Sequence, residues 1–171
     1  MLRQRFEGEL WRLQNEVLEL GYMVQRAVCN SVDYLKTRNL DGALQIIDED
    51  MRINSKRFQI ESDVLVLIAT QQPMARDLRA LAAILDSIRE LERTGDYAKG
   101  ISKINLMIGD QELIKPLLDI PRMCETAMDM LGCALRAYIE QDEQAARAIP
   151  MDEEQVDSLY NRIRHELMGL I

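Results

Sequence analysis

The chain has 171 residues, a formal net charge of −8, and a composition that is 47% hydrophobic but only 5% aromatic. This length allows one large or two small domains with a hydrophobic core. The acidic balance argues against binding to nucleic acid, which needs a basic face, and against adsorption to anionic lipid. The longest apolar run, residues 64–69, is too short to cross a bilayer. We therefore expect a cytoplasmic protein with no signal peptide and no membrane insertion.

Hydrophobic periodicity predicts three long helices in the first part of the chain, at 3–38, 42–70 and 73–108. The second helix is expected to bury one apolar stripe, which comprises Leu44, Ile47, Met51, Phe58, Leu65 and Ile68. The third is expected to bury Leu78, Leu81, Leu85 and Ile88. Three helices with short connections predict an antiparallel bundle.

Local signals mark the ends of these helices. Asp41 is a candidate N-cap for the second helix, and Pro73 is tolerated in the first turn of the third. Gly109 is the type of residue that follows a helix C-terminus.

The hydrophobic pattern then repeats with an offset of 103 residues, which places Ala43 on Ala146 and Ile60 on Ile163. The second copy contains counterparts of the first two helices, but a counterpart of the third would lie beyond residue 171. We therefore predict an all-α fold with five long helices. It comprises a three-helix bundle in residues 1–108 and an incomplete second bundle in residues 117–171.

Proline and cysteine refine this interpretation of the second half. Pro121 is expected in the first turn of the fourth helix, and Pro150 is expected to break the fifth near its start. The three cysteines, Cys29, Cys124 and Cys133, contain no Cys-x-x-Cys pair, so they indicate neither a disulfide framework nor a zinc site. We interpret them as buried, reduced thiols.

Two carboxylates interrupt the apolar stripe of the third helix. At 100° per residue, Glu92 falls in the middle of that stripe and Asp96 lies on the same face. A hairpin turn near residues 71–72 would place Asp50 opposite Glu92, with Asn54 one turn further along the second helix. Asp50, Asn54, Glu92 and Asp96 would then surround one point, and such oxygen ligands on facing helices can form a metal site.

The alternative to a metal site is a polar layer neutralised by an arginine such as Arg52 or Arg93. Like charges four residues apart on an exposed helix cost only a few tenths of a kcal/mol, so they do not require a metal. In the second copy, Glu153 and Asp157 occupy the positions of Asp50 and Asn54. Any site there would be incomplete, because the third helix of that copy is missing.

The sequence also contains two motifs in a fixed order, Pro-x-Ala-x-Asp-Leu-Arg and Leu-Glu-Arg-x-Gly-Asp. Their residues are Pro73, Ala75, Asp77, Leu78 and Arg79, then Leu91, Glu92, Arg93, Gly95 and Asp96. Together they resemble the PhoU family of bacterial phosphate-signalling proteins. The resemblance implies tandem helical bundles, normally both complete. This chain is therefore expected to be a truncated member, a fragment, or a sequence without its last helix.

The resemblance further implies a negative regulator of phosphate uptake and of the phosphate-starvation response. It would dock to the ATPase subunit of the phosphate ABC transporter and to a sensor histidine kinase. The family carries paired Glu/Asp-x-x-x-Asp motifs that can hold metal. The implied cofactor is therefore an ion such as iron, zinc or another divalent cation at Asp50, Asn54, Glu92 and Asp96.

Catalytic signals are weak. His165 is the only histidine, and Arg162 stands where a Glu-x-x-His motif of a di-iron bundle would have glutamate. There is no glycine-rich phosphate loop. We therefore expect no enzyme. The alternatives are a carboxylate bundle that stores or oxidises iron, and a helical adaptor without metal. The unpartnered stripes of the last two helices predict a homodimer, or a groove filled by the first bundle folding back.

Overall fold

The computed structural model describes residues 2–169, except for the side chains of Leu2 and Asp152. Within these residues, the regular secondary structure is entirely helical, which confirms the all-α prediction. The elements are α1 (Leu2–Thr37), α2 (Leu40–Gln71), α3 (Ala75–Ile108), α4 (Asp119–Glu140), α5 (Glu143–Ala148), a 3₁₀ helix (Ile149–Asp152) and α6 (Glu153–Met168).

Helices α1, α2 and α3 pack against one another as an antiparallel bundle, and α4 packs on the outer side of α1. The bundle core is aliphatic and includes several completely buried side chains, among them Leu13, Leu20, Ile60, Leu81 and Ile84. Burying each such side chain contributes roughly 1.5–3 kcal/mol to the free energy of unfolding. The hydrophobic effect, applied to aliphatic stripes, is therefore what holds the three long helices together.

The buried face of α2 differs from the predicted one. Leu44, Met51, Phe58 and Leu65 are at least half exposed. The residues that α2 buries are Gly42, Ala43, Ile46, Asp50, Ile53, Ile60, Val64 and Leu67. Because α2 carries apolar residues at helical spacing on two adjacent faces, periodicity alone could not decide which face meets α1 and α3.

The predicted face of α3 is also displaced. The buried residues are Leu81, Ile84, Ile88, Leu91, Gly95, Ala98, Ser102 and Asn105, whereas Leu78 is exposed. Glu92 is half-buried and Asp96 is exposed. The two carboxylates therefore lie beside the core-facing stripe rather than in its middle, because that stripe continues through Leu91 and Gly95.

The helix ends follow capping chemistry. Asn39, not Asp41, caps α2, since Oδ1 of Asn39 accepts a hydrogen bond of 2.8 Å from the backbone N–H of Gly42. Pro73 precedes α3, which begins at Ala75. Helix α3 ends as predicted, before Gly109, which has a φ of 56° that favours glycine.

The second half repeats these features at the predicted offset. Asp142, 103 residues after Asn39, caps α5 by accepting a hydrogen bond of 2.9 Å from the backbone N–H of Ala145. Pro150 interrupts the predicted fifth helix, which is divided into α5, the 3₁₀ helix and α6. Proline has no backbone N–H to donate and its ring crowds the preceding turn, so a continuous helix is disfavoured there.

Candidate functional site

Asp50 is the most deeply buried charged residue of the described chain, with 3% of its surface exposed. It points from α2 towards α3. Its Oδ2 accepts a hydrogen bond of 2.5 Å from Nζ of Lys99 and another of 3.0 Å from Nδ2 of Asn54. A buried carboxylate needs such donors, since removal from water otherwise costs several kcal/mol.

Lys99 is the cation that compensates Asp50. The hydrogen bond to Asp50 raises the pKa of Lys99 above its ordinary value, partial burial opposes this shift, and the charges of Asp50 and Asp96 add to it. Lys99 is therefore fully protonated at neutral pH. The pair links the first third of α2 to the last third of α3.

The register of the α2–α3 hairpin explains why Lys99 faces Asp50. The turn occupies residues 72–74, beyond its predicted position, so the residues opposite α2 lie further along α3. A Cβ atom added to Gly95 would contact Ile53, at 3.3 Å from its Cδ1, which gives the same register as the Asp50–Lys99 pair. The prediction that Asp50 faces Glu92 is therefore wrong by about two helical turns.

The structure brings together only part of the predicted site. Asp50 and Asn54 are in contact, and Asp96 is close enough to attract Lys99. Glu92 makes no hydrogen bond or ion pair with the side chains that the structure describes. Across residues 2–169, apart from the two undescribed side chains, no three His, Cys, Asp or Glu side chains converge as metal ligands.

These residues, as arranged, do not form a ready-made metal centre. The position next to Asp50 that a cation would take is filled by the ammonium group of Lys99. Metal binding at Asp50, Asn54, Glu92 and Asp96 stays a prediction, and it would require Lys99 to move away. Sequence reasoning missed Lys99 because a small error in the position of the turn changes every facing pair.

Asp77, which belongs to the first of the two sequence motifs, forms an ion pair that links two helices of the bundle. Its Oδ2 lies 3.7 Å from Nη1 of Arg3, so it forms an ion pair between the start of α3 and the start of α1. Arg3 is largely exposed, and such pairs contribute little to stability. Asp77 therefore lies far from Asp50 and belongs to a separate part of the bundle.

The exposed side of α2 carries a regular apolar row, which we call the α2 stripe and define as Leu44, Met51, Phe58 and Leu65. These residues recur every seven positions, so they lie along one face over about 32 Å. They are 50%, 72%, 62% and 55% exposed, respectively. The guanidinium carbon of Arg57 lies 4.4 Å from the centroid of the Phe58 ring. Helices that pair as coiled coils carry apolar residues at two positions of each seven-residue repeat, and the α2 stripe supplies one of these positions.

The sequence profile of the PhoU domain matches residues 17–104 and 120–171, which is most of the chain. The chain belongs to the PhoU family. No helix of the PhoU-like fold, over the residues described, has the length and apolar character needed to span a membrane.

Curated relatives extend this result. The phosphate-specific transport system accessory protein PhoU homolog of Clostridium acetobutylicum is 31% identical over 172 aligned positions, covering 100% of this chain and 78% of the relative. The homolog from Streptococcus pneumoniae serotype 4 is 31% identical, covering 99% of this chain and 79% of the relative.

Two crystal structures share the PhoU fold. The phosphate transport system regulatory protein PhoU from Streptococcus pneumoniae has a TM-score of 0.89 and 30% sequence identity, covering 97% of this chain and 78% of its own. PhoU from Pseudomonas aeruginosa has a TM-score of 0.90 and 25% identity, covering 96% and 79%. The family predicted from the two motifs is thus confirmed.

Proposed function

We propose that this PhoU-family chain is a cytoplasmic, non-enzymatic regulator of phosphate uptake and of phosphate-starvation signalling. It acts negatively, by docking to the ATPase subunit of the phosphate ABC transporter and to a sensor histidine kinase. The relatives are named as accessory or regulatory proteins of phosphate transport systems, which supports the biological setting. The observation that carries a docking mechanism is the α2 stripe.

The α2 stripe suits a helical partner better than a small molecule. It is a row of four apolar side chains on a convex helix surface, whereas small-molecule sites are concave. Exposed aromatic and methionine side chains are typical of protein interfaces, where Phe58 and Met51 would supply most of the buried apolar area. The ATPase subunit is expected to present the complementary apolar surface.

Binding of the purified chain to the transporter ATPase subunit tests this proposal. Phe58→Asp places a charge in the centre of the stripe and is expected to weaken binding at least tenfold, or about 1.4 kcal/mol. Trp11→Asp is the matched control, because Trp11 is an aromatic residue on α1 that is 68% exposed and lies outside the stripe. Unchanged binding by the Phe58 variant, or equal loss in the control, would contradict docking through α2.

Deletion of the coding gene tests the regulatory role independently of the surface. If the chain is a negative regulator, a phosphate-starvation reporter should become active in the deletion strain even in phosphate-rich medium. The Phe58→Asp variant should fail to restore repression in that strain. A deletion strain with normal phosphate control would refute the proposed function. The iron-storing or iron-oxidising alternative finds no support in the described side chains, and an oxygen-consumption assay with Fe(II) would distinguish it.

A further inference from the structure

The contact between the two repeats contains an unexpected pair of cysteines. Helix α4 lies antiparallel to α1, and Nε2 of Gln25 donates a hydrogen bond of 2.8 Å to the carbonyl of Met128. Cys29 lies four residues after Gln25 on α1, and Cys124 lies four residues before Met128 on α4. In antiparallel helices these two steps lead in the same direction along the interface, so the two thiols face each other.

The shape of this interface agrees with that register. Cys29 and Cys124 line one pocket of about 220 Å³ between α1 and α4. On the other side of Gln25, Gly132 is buried, and a Cβ added there would lie 3.4 Å from Nε2 of Gln25. At Gly21 the two helices lie so close that an added Cβ would overlap the side chain of Leu135, and a disulfide requires Cα atoms within about 7 Å.

We propose that Cys29 and Cys124 are an intramolecular disulfide site that joins the first bundle to the second repeat under oxidation by a hydroperoxide. The prediction that all three cysteines are buried is wrong. Cys29 is exposed, and Cys124 and Cys133 are only half-buried. The site goes beyond the docking function, and its failure would leave that function unaffected.

The chemistry needs one two-electron oxidant, here ROOH. The Cys29 thiolate attacks the terminal peroxide oxygen, the O–O bond breaks, and ROH leaves after taking up the thiol proton, so that Cys29 becomes a sulfenic acid. Sγ of Cys124 then attacks Sγ of Cys29 and the S–O bond breaks. The hydroxide leaves with the Cys124 proton as water. Two sulfur atoms are oxidised and one peroxide is reduced.

Cys29 is the attacking thiol because it is the more accessible of the two. Burial raises the pKa of the Cys124 thiol to about 12, and the neighbouring Cys29 adds to the shift. Partial burial also raises the pKa of Cys29, although the residue is exposed enough to react. The charged side chains that line the same pocket are Asp33 and Lys36 on α1 and Glu125 and Asp129 on α4. Since only the thiolate reacts, the raised pKa makes oxidation of Cys29 slower at pH 7 than that of an ordinary thiol, and a higher pH accelerates it.

The test uses the full chain treated with excess hydrogen peroxide at pH 8, followed by alkylation, protease digestion and mass spectrometry under non-reducing conditions. Wild-type protein and Cys133→Ser are expected to lose two free thiols and to yield one peptide in which Cys29 is linked to Cys124. Cys29→Ser and Cys124→Ser are expected to lack it. The linked form should stay monomer-sized on a denaturing gel. Its thermal midpoint should rise by roughly 5–10 °C, because the bond closes a loop of about 95 residues.

Two outcomes would overturn the proposal. In the first, circular dichroism shows that the wild-type chain is folded, but no peptide linking Cys29 to Cys124 forms. Cys29 is then found either free or oxidised to sulfinic or sulfonic acid. In the second, the disulfide links two separate chains instead of two helices of one chain. The Cys133→Ser variant keeps the test decisive, since it removes the third thiol without touching the proposed pair.

Discussion

A Cβ atom added to Gly21 on α1 would lie 2.4 Å from Cδ1 of Leu135 on α4, closer than any real contact. Leu135 is 6% exposed, so a methyl group added at Gly21 would have to displace a packed side chain. Packing between the two repeats therefore depends on a residue without a side chain at this position.

Gly21→Ala is expected to lower the free energy of unfolding by about 1–2 kcal/mol, because the added methyl overpacks the α1–α4 interface. Gly8→Ala is the matched control on the same helix, since a Cβ there meets nothing within 4 Å. The control should gain about 0.5–1 kcal/mol from helix propensity. Urea denaturation measures both, and equal stabilisation of the two variants would contradict this packing.

Lys99→Met should destabilise the fold by about 1–3 kcal/mol, since it leaves the buried carboxylate of Asp50 without its cation. The value lies below that of fully buried pairs because 30% of the Lys99 side chain is exposed, so water can partly replace it. The double variant Asp50→Asn/Lys99→Met should recover most of the loss. If Lys99→Met is as stable as the wild-type chain in urea, the ion pair contributes little to the stability of the fold.

Asn105→Leu should lower the free energy of unfolding by about 1–3 kcal/mol. Asn105 is completely buried, and its Nδ2 donates hydrogen bonds to the carbonyls of Tyr34 at 2.9 Å and Asn39 at 3.3 Å. Leucine of similar size leaves both carbonyls without this donor. Asn161→Leu, at an exposed position on α6, should change stability by no more than about 0.5 kcal/mol. Thermal melts of the two variants give the comparison.

Metal binding at Glu92 and Asp96 is the sequence prediction that most needs a direct experiment. If a divalent or ferric ion binds at the predicted site, Glu92→Ala/Asp96→Ala should abolish the heat of binding in calorimetry. Glu153→Ala/Asp157→Ala removes the same charge at the equivalent spacing in the second repeat, and should leave that binding intact. Unchanged binding in the first double variant would exclude the site.

The sequence predicts that residues 1–171 form a homodimer or that the first bundle covers the apolar stripes of the second repeat. Helix α4 packs against α1 in the structure, so a dimer is expected to use the exposed face of α6. Tyr160 and Leu167 lie two turns apart on one face of α6 and are 56% and 45% exposed. Tyr160→Glu should shift the chain to monomer in light scattering across a concentration series. Tyr22→Glu, at an equally exposed tyrosine on α1, should not. A wild-type chain that is monomeric throughout the series would refute this interface.

Helix positions were predictable because they depend on local chemistry. Pro150 and Gly109 affect the backbone of their immediate neighbours, and the 103-residue offset is a repeat in the sequence itself. The helix ends in the structure lie close to the expected residues. The offset is visible again in Asn39 and Asp142, which cap corresponding helices. The exact N-cap residue of α2 could not be predicted from the sequence, because Asn39 and Asp41 are both good capping residues and lie two positions apart.

The sequence by itself therefore determined the helical class, the repeat and the family, because periodicity, turn residues and motif order are properties of neighbours along the chain. Tertiary structure decided which apolar face of α2 is buried, that Asp50 meets Lys99 rather than Glu92, and that Cys29 lies opposite Cys124. Each of these depends on the register between two helices. A turn displaced by two or three residues moves facing side chains by up to 9 Å, and only the packing of all the helices together fixes that displacement.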